Sequence, residues 1–310
     1  MLLGLAVFLF AIVVLVNGFT DAPNSVATVV CTGTLNVKRA LYVCAVFNFI
    51  GVLLAYFLGG KIAKFVFSLS QGSEQEKIAC ACLFCVIIFG IGCWIFGLPS
   101  SESHAIICSL CGASFFCYGS LNGLKKVGYV FAFMVFSDLI AFGLAYLFSR
   151  FSIIKKPRKA LQIFLCSESS LMHGWQDGQK LCSILFALAC HGINMPIQIP
   201  LLVGVIMALG SLLGGKKIIK TLGCDLVKLS SQCAICSELG SYLTLFAFST
   251  FGASVSTSCI KALSILGAGA GNGKKINKKA TAKVLISSAI AFPICFLIGY
   301  YVMLILDKVS

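Results

Sequence analysis

Two acidic motifs of similar composition stand in opposite halves of the chain, each inside long apolar sequence. The first motif, residues 17–24, reads Asn-Gly-Phe-Thr-Asp-Ala-Pro-Asn, and the second, residues 173–180, reads His-Gly-Trp-Gln-Asp-Gly-Gln-Lys. An ionised carboxylate is costly at membrane depth, so Asp21 and Asp177 are candidates for a functional site. Their hard oxygen atoms, like that of Asn24, suit Na⁺, Mg²⁺ or a proton better than a soft metal.

A hydroxyl-rich segment follows later in each half. Residues 97–104 read Gly-Leu-Pro-Ser-Ser-Glu-Ser-His, and residues 252–259 read Gly-Ala-Ser-Val-Ser-Thr-Ser-Cys. Hydroxyl groups donate hydrogen bonds, and with backbone N–H groups at helix starts they can form a nest for a tetrahedral oxyanion. The candidate anion-binding residues are Ser100, Ser101, Ser103, Ser256, Thr257 and Ser258.

These landmarks recur at an almost constant offset. Asp21 and Asp177 are 156 positions apart (177 minus 21), and the hydroxyl segments are 155 apart (252 minus 97), which is half of the 310 residues. Landmarks in the same order at one offset indicate an internal repeat. We therefore predict two homologous transmembrane repeats, residues 1–149 and 161–310, joined by a basic connecting loop at residues 150–160.

The composition indicates an all-α polytopic membrane protein. The chain is 59% hydrophobic and 11% charged, with a mean hydropathy of +1.01, which is more apolar surface than a soluble domain of this length could bury. Apolar runs long enough to cross a bilayer recur, and we expect about 9–12 membrane segments. The net charge of +14 comes from short basic patches between these runs. Such patches are typical of cytoplasmic loops and contact with anionic lipid, and they do not indicate nucleic-acid binding.

The 17 cysteines do not predict a metal site or a disulfide scaffold. Two Cys-x-x-Cys pairs occur, at residues 108–111 and 233–236, but their neighbours are apolar or small. A closed metal site needs four convergent ligands, whereas an isolated Cys packs as a small hydrophobic residue. We expect most of these thiols to be buried and reduced.

Helix breakers lie at both kinds of motif. We expect Gly18 and Pro23 to break the first helix within the bilayer, and Pro99 with the hydroxyls after it predicts a re-entrant hairpin. In membrane proteins built from two repeats, interrupted helices commonly hold substrate and coupling ions at the repeat interface, near the midplane. The basic patches fall at similar places in both halves, so the sequence leaves open whether the repeats are inverted or parallel.

The charges favour a symporter over an enzyme. Two carboxylates, the Lys180 ammonium and a divalent anion total about −3, and uncompensated buried charge is costly, so cations must enter with the anion. A serine hydrolase is disfavoured because Ser101 or Ser103 and the adjacent His104 cannot easily reach each other within one hairpin. The oxyanion stays open at this point between phosphate, sulfate and a neutral metal–phosphate complex carried with protons.

The motifs resemble those of the inorganic phosphate transporter (PiT) family, in the form that bacterial members have. That family carries a G-A-N-D-x-A-N-A-type signature near the start of each repeat and a G-x-P-x-S-T-T-H-type segment later. The likeness covers nearly the whole chain in order. It implies inverted repeats with broken helices, a place in the bacterial plasma membrane, and import of inorganic phosphate with Na⁺ or H⁺ as coupling ion. No other cofactor is implied, and a homodimer is left open.

The resemblance also implies roles for individual residues. Asp21, Asn24 and Asp177 would hold coupling cations, and the hydroxyls listed above would line the phosphate site. The chain departs from the family pattern where Glu102 replaces a hydroxyl and Lys180 replaces an asparagine. Together with His104, these two are candidates for charge pairing or proton coupling, and our hypothesis is that Lys180 and Glu102 shift coupling toward protons. The remaining motif positions are Asn17, Gly18, Thr20, Gly174, Gln176 and Gln179.

Overall fold

The computed structural model describes residues 2–58, 60–69, 74–99, 101–119, 122–154, 156–189 and 196–309. Ser100, one of the predicted anion-binding residues, lies outside these ranges. The described residues are helical throughout apart from turns and short connections, and their only extended pairing is an isolated bridge between Val227 and Ile276. The all-α prediction is therefore confirmed.

Helices of similar length follow one another in the same order in both halves. The first half contains α1 (Leu2–Thr20), a 3₁₀ segment (Ala22–Val26), α2 (Ala27–Cys31), α3 (Val37–Phe57), α4 (Lys61–Phe67), α5 (Gln75–Phe96), α6 (Glu102–Tyr118) and α7 (Asn122–Arg150). The second half contains α8 (Lys159–Ala189), α9 (Gln198–Leu213), α10 (Lys216–Lys220), a π-helical segment (Thr221–Asp225), α11 (Ser231–Phe251), α12 (Thr257–Gly271) and α13 (Lys278–Val309).

The two halves pack reciprocally, as a pseudo-two-fold relation requires. Helix α1 packs against α9 and α8 packs against α3, while α6 packs against α13 and α12 packs against α7. The second-half equivalents of α1, α3, α6 and α7 are α8, α9, α12 and α13. Each of these contacts therefore has an equivalent in which the two halves are exchanged. The predicted division at residues 150–160 falls between the end of α7 and the start of α8, and the exact boundaries stay a prediction.

The glycines of the acidic motifs serve helix packing, which corrects the expectation for Gly18. Helix α1 continues through Gly18, where an added Cβ would lie 2.4 Å from the Met207 carbonyl oxygen of α9. At the equivalent Gly174 of α8, a Cβ would lie 2.2 Å from the Asn48 carbonyl oxygen of α3. Both glycines therefore allow two helix backbones to touch, a contact that any side chain would prevent.

Only the first acidic motif interrupts a helix. Beyond Thr20 the chain tightens into the 3₁₀ segment, which has Pro23 in its first turn, and then resumes as α2. The second motif has no proline, and α8 runs unbroken from Lys159 to Ala189. The physical reason is that glycine weakens a helix mildly and packing can outweigh it, whereas proline removes a backbone donor.

The two hydroxyl segments form the predicted hairpin tips. Helices α5 and α11 end at Gly97 and Gly252, whose φ angles of 64° and 80° favour a residue without Cβ. Helices α6 and α12 then begin after serine N-caps. The Ser101 hydroxyl accepts a 3.4 Å hydrogen bond from the His104 N–H, and the Ser256 hydroxyl accepts a 3.2 Å hydrogen bond from the Cys259 N–H.

Five described helices are long and apolar enough to cross a membrane, with a sixth if the bent pair Gln198–Leu213 and Lys216–Asp225 is one span. Helices α8 and α11 do not pass that test, and both carry buried charged residues, Asp177 and Lys180 on α8 and Glu238 on α11. Buried charged residues lower the mean hydropathy of α8 and α11, so a test based on hydropathy does not count these two helices. The expected 9–12 membrane segments therefore stay a prediction.

One disulfide, between Cys31 and Cys224, departs from the expectation of reduced thiols. It joins the end of α2 to the π-helical segment. The close approach depends on Gly223, where a Cβ would lie 2.4 Å from the Ala27 carbonyl oxygen. The other described cysteines are free and nearly all buried.

Candidate ion-binding site

Asp21 and Asp177 meet in one buried cluster together with His173. One ligand atom from each of the three residues lies within 4.8 Å of the others. Asp21 is 1% exposed, and His173 and Asp177 are each 2% exposed. The structure thus brings the duplicated carboxylates into a single site, and it adds a histidine to which the sequence analysis assigned no role.

On the first side, Asp21 is held by groups from both halves. The Asn24 amide nitrogen donates to Asp21 Oδ1 at 3.0 Å and to Ser258 Oγ at 2.7 Å, and the Ser258 hydroxyl donates to the same Oδ1 at 2.5 Å. The Asn24 Oδ1 atom is buried and accepts no hydrogen bond from the described residues. That oxygen is therefore available as a cation ligand.

On the second side, three partners surround Asp177, two from its own helix and one from α12. Lys180 Nζ donates to Asp177 Oδ1 at 2.6 Å, His173 Nε2 lies 3.1 Å from Oδ2, and the Thr257 hydroxyl donates to Oδ2 at 3.2 Å. Residues three and four apart on a helix share a face, which is why one unbroken helix can supply the first two partners. Asp177 is therefore paired with a built-in ammonium.

Lys180 occupies in the second half the place that Asn24 occupies in the first. Its ammonium also donates to the Ser103 hydroxyl and, at 2.9 Å, to the Val255 carbonyl oxygen. Lys180 thus reaches the hairpin of the opposite half, as Asn24 reaches Ser258. It is 0% exposed, so it is a buried counter-ion and does not extend to the membrane surface.

The hairpin tips touch at the centre of the molecule. Ser101 Oγ donates to Ser256 Oγ at 2.8 Å, and these two residues are equivalent, 155 positions apart. Ser103 Oγ donates to the Val255 carbonyl oxygen at 2.9 Å. The N-termini of α6 and α12, each favourable for a negative charge, therefore meet at one place with hydroxyls from both halves.

A model of the phosphate transporter family matches this chain twice, over residues 17–159 and 152–299. The chain belongs to the phosphate transporter family. Each match contains one acidic motif and one hydroxyl segment, so each half of the chain resembles the family model. The chain is accordingly an integral, multi-pass membrane protein.

Phosphate transporter relatives match most of the chain. A probable low-affinity inorganic phosphate transporter of Bacillus subtilis is 29% identical, over 95% of this chain and 94% of that protein. A protein of the same description from Rhizobium meliloti is 33% identical, over 82% of this chain and 81% of its own length. A solved structure entitled "The sodium-dependent phosphate transporter" has the same fold, with a TM-score of 0.84 at 18% identity and full coverage of both chains.

His173 is a site residue to which the sequence alone assigned no role. Asn48 Nδ2 donates to the Cys44 carbonyl oxygen at 2.8 Å, which orients Asn48 Oδ1 toward His173 Nδ1 at 2.6 Å. Nδ1 must then carry a proton, and Nε2 is left to face Asp177. Nε2 can either share a second proton with that carboxylate or offer a lone pair to a cation. The signal in the sequence was the four-residue spacing of His173 and Asp177.

Glu102 lies buried at the start of α6. It is 6% exposed, and neither carboxylate oxygen has a hydrogen-bond partner among the described residues. Asn17, whose amide oxygen and nitrogen are also without partners there, lines the same small cavity together with Thr20. The Thr20 hydroxyl itself donates to the Val16 carbonyl oxygen at 2.8 Å. Glu102 is therefore a buried acid that shares a small, largely apolar cavity with the Asn17 amide.

The remaining predicted residues have structural contacts. His104 packs edge-on against Phe292, with ring centroids 4.4 Å apart. Gln176 Nε2 donates to Ser249 Oγ at 2.8 Å, and the Gln179 Oε1 atom accepts from the backbone N–H of Ile62, in the first turn of α4, at 3.1 Å. The two glutamines thus tie α8 to α11 and α4 near the site.

Proposed function

We propose that this chain imports inorganic phosphate together with a coupling cation, in the plasma membrane of a bacterium. The observation that supports this most directly is the meeting of Asp21 and Asp177 in one buried cluster, where they accept hydrogen bonds from the Ser258 and Thr257 hydroxyls of the second hairpin. Family membership and the names of the relatives support phosphate as the transported anion. A homodimer stays a prediction.

The phosphate site in this proposal lies between the two hairpin tips. Ser101, Ser103, Ser256, Thr257 and Ser258 supply hydroxyl donors there, and two helix N-termini supply backbone N–H groups. Phosphate near neutral pH keeps a proton and can donate a hydrogen bond to an ionised carboxylate, whereas sulfate cannot. The carboxylates at this site therefore favour phosphate over sulfate.

Charge balance requires a cation in this proposal. The carboxylates of Asp21 and Asp177, the Lys180 ammonium and a divalent phosphate together carry about −3 in a buried site, and each uncompensated charge costs several kcal/mol. The carboxylates, the free Asn24 Oδ1 and His173 Nε2 form the cation site. Oxygen atoms suit Na⁺, whereas an imidazole nitrogen suits a proton better than a hard metal ion.

We further propose that Lys180 and Glu102 shift coupling toward protons. The family pattern has an amide side chain at this position, whereas Lys180 places an ammonium there. One cation position is therefore always occupied by the protein's own charge. Glu102 adds a buried acid that a proton can neutralise more easily than a hydrated metal ion can. The structural neighbour, in contrast, is described as sodium-dependent.

Uptake into liposomes tests both proposals. Purified protein is reconstituted, and labelled phosphate is supplied under a pH gradient alone or a Na⁺ gradient alone, with and without excess sulfate and with a metal chelator. We expect accumulation that follows the pH gradient and resists sulfate and the chelator. Accumulation that follows Na⁺ and ignores pH would exclude proton coupling. Loss of uptake with the chelator would favour a metal–phosphate complex, and sulfate competition would favour the oxyanion alternative.

A further inference from the structure

A further buried carboxylate, that of Glu238, lies near the proposed phosphate site. Glu238 of α11 is 0% exposed and forms an ion pair with Lys261 of α12, which is 2% exposed. The Thr28 hydroxyl donates to the other carboxylate oxygen of Glu238. Lys261 also donates to Ser169 Oγ at 3.0 Å and to the Ser25 carbonyl oxygen at 3.2 Å. The three donors of the ammonium are thus all used.

The repeat does not duplicate this pair. At the offset of 155 that relates Ser101 to Ser256, the positions equivalent to Glu238 and Lys261 hold Leu83 and Ile106, both buried in an apolar cluster. A Leu and an Ile fill these places without any charge, so the fold itself does not require an ion pair there. The pair is therefore a feature of one side of the site only.

Lys261 of this pair lies close to residues of the proposed ion and phosphate sites. Lys261 lines one small cavity together with Asn24, His173 and Thr257, three residues that contact or surround the two site carboxylates. A charge placed at Lys261 or removed from it thus acts within the same low-dielectric region that holds the transported ions. It also decides how many cations that region must take up to remain neutral.

We propose that Lys261 is a built-in cation that keeps the Glu238 pocket filled, so that the protein moves phosphate with one mobile cation fewer than its buried carboxylates would otherwise require. The proposal rests on the proposed function of the adjacent site. A carboxylate buried as deeply as Glu238 needs a compensating charge at all times, because removal of one partner from a buried pair is strongly destabilising. If the ammonium is removed, a hard monovalent cation or a proton must take its place beside Thr28 and Ser169.

The test compares Lys261→Gln with a charge-free pair, Glu238→Gln with Lys261→Gln, and with the exposed control Lys220→Gln. Phosphate uptake is measured against Na⁺ at fixed pH and against pH at fixed Na⁺. In Lys261→Gln we expect the dependence on one of these two cations to become steeper by one additional ion, and in the charge-free pair we expect the wild-type steepness to return. The same steepness in Lys261→Gln and the wild type would overturn the proposal.

A binding measurement keeps the proposal testable without transport. The thermal unfolding midpoint of each purified variant is followed as Na⁺ is added or pH is lowered, because a ligand that binds the folded state raises that midpoint. Lys261→Gln should gain more stabilisation than the wild type, and the charge-free pair should not. A Lys261→Gln protein that neither Na⁺ nor acid can stabilise would overturn the proposal. If the wild type takes up no phosphate, the proposed function fails while this measurement still judges Lys261.

Discussion

Lys180 stands where the repeat places Asn24, and each of the two side chains joins its own Asp to a hydroxyl of the opposite hairpin. Asn24 Nδ2 lies 3.0 Å from Asp21 Oδ1 and 2.7 Å from Ser258 Oγ, and Lys180 Nζ lies 2.6 Å from Asp177 Oδ1 and donates to Ser103. The geometry is conserved between the halves, while the charge is not. In the proposed mechanism, the first half therefore offers an open position for a cation, and in the second half Lys180 occupies the equivalent position.

Replacing Lys180 by asparagine should make the second half resemble the first. In Lys180→Asn the Asp177 carboxylate loses its ammonium, so we expect phosphate uptake to require more Na⁺ and to respond less to a pH gradient. The measurement is uptake under separate Na⁺ and pH gradients, with Lys220→Asn on the exposed surface as control. Unchanged gradient dependence in Lys180→Asn would show that the ammonium has no part in coupling.

Neutralising Asp177 should abolish or uncouple transport. In Asp177→Asn the ammonium of Lys180 stays buried without its carboxylate, and breaking such a pair costs about 3–5 kcal/mol. The double change Asp177→Asn with Lys180→Asn avoids that cost and should fold well, yet still fail to accumulate phosphate against a gradient. The exposed Asp307→Asn variant serves as the matched control. Normal gradient-driven accumulation in the double variant would contradict the role of Asp177 in ion binding.

Removing the hydroxyls at the hairpin tips should weaken phosphate binding. We expect Ser101→Ala to raise the half-saturation concentration for phosphate about tenfold, since a hydrogen bond to a charged group contributes ~1.5–3 kcal/mol. The double variant with Ser256→Ala should be worse still, while membrane insertion stays intact. Initial uptake rates over a range of phosphate concentrations measure this, with Ser231→Ala as control. Wild-type transport by the double variant would remove both hydroxyls from the site.

Substitution of His173 should weaken binding of the coupling cation more than binding of phosphate. In His173→Gln the Nε2 atom that faces Asp177 is lost, and we expect the half-saturation concentration for the coupling cation to rise about tenfold, in the range seen for altered ligand surroundings. His104→Gln is the contrast, because His104 packs against Phe292. Equal effects of the two substitutions on the cation dependence would argue against a special role for His173.

The sequence predicts the duplicated parts of this molecule well. A constant offset between motifs implies equivalent helices, and the hairpin tips with Ser101 and Ser256 follow from it. Buried Asp residues in an apolar chain imply a polar site, whatever the path of the helices. These features depend on local composition and on repetition, both of which a single sequence displays.

Other features depend on partners far away in the chain. From local sequence alone, Gly18 predicts a helix break, whereas in the fold it packs against Met207 of α9. A contact between residues so far apart in the chain has no signal in the local sequence. Glu238 and Lys261 belong to no motif, so nothing in the sequence pairs them. His173 belongs to the same class, because its partner Asp21 is 152 positions away in the chain (173 minus 21).

The most direct test of the shared site is a structure determined in lipid with phosphate and Na⁺ or at acidic pH. We expect tetrahedral density between the hairpin tips, in contact with Ser101, Ser256 and Thr257. In Na⁺ we also expect an ion next to Asp21 and Asp177. Phosphate bound elsewhere, or the two carboxylates facing separate cavities, would contradict a shared site.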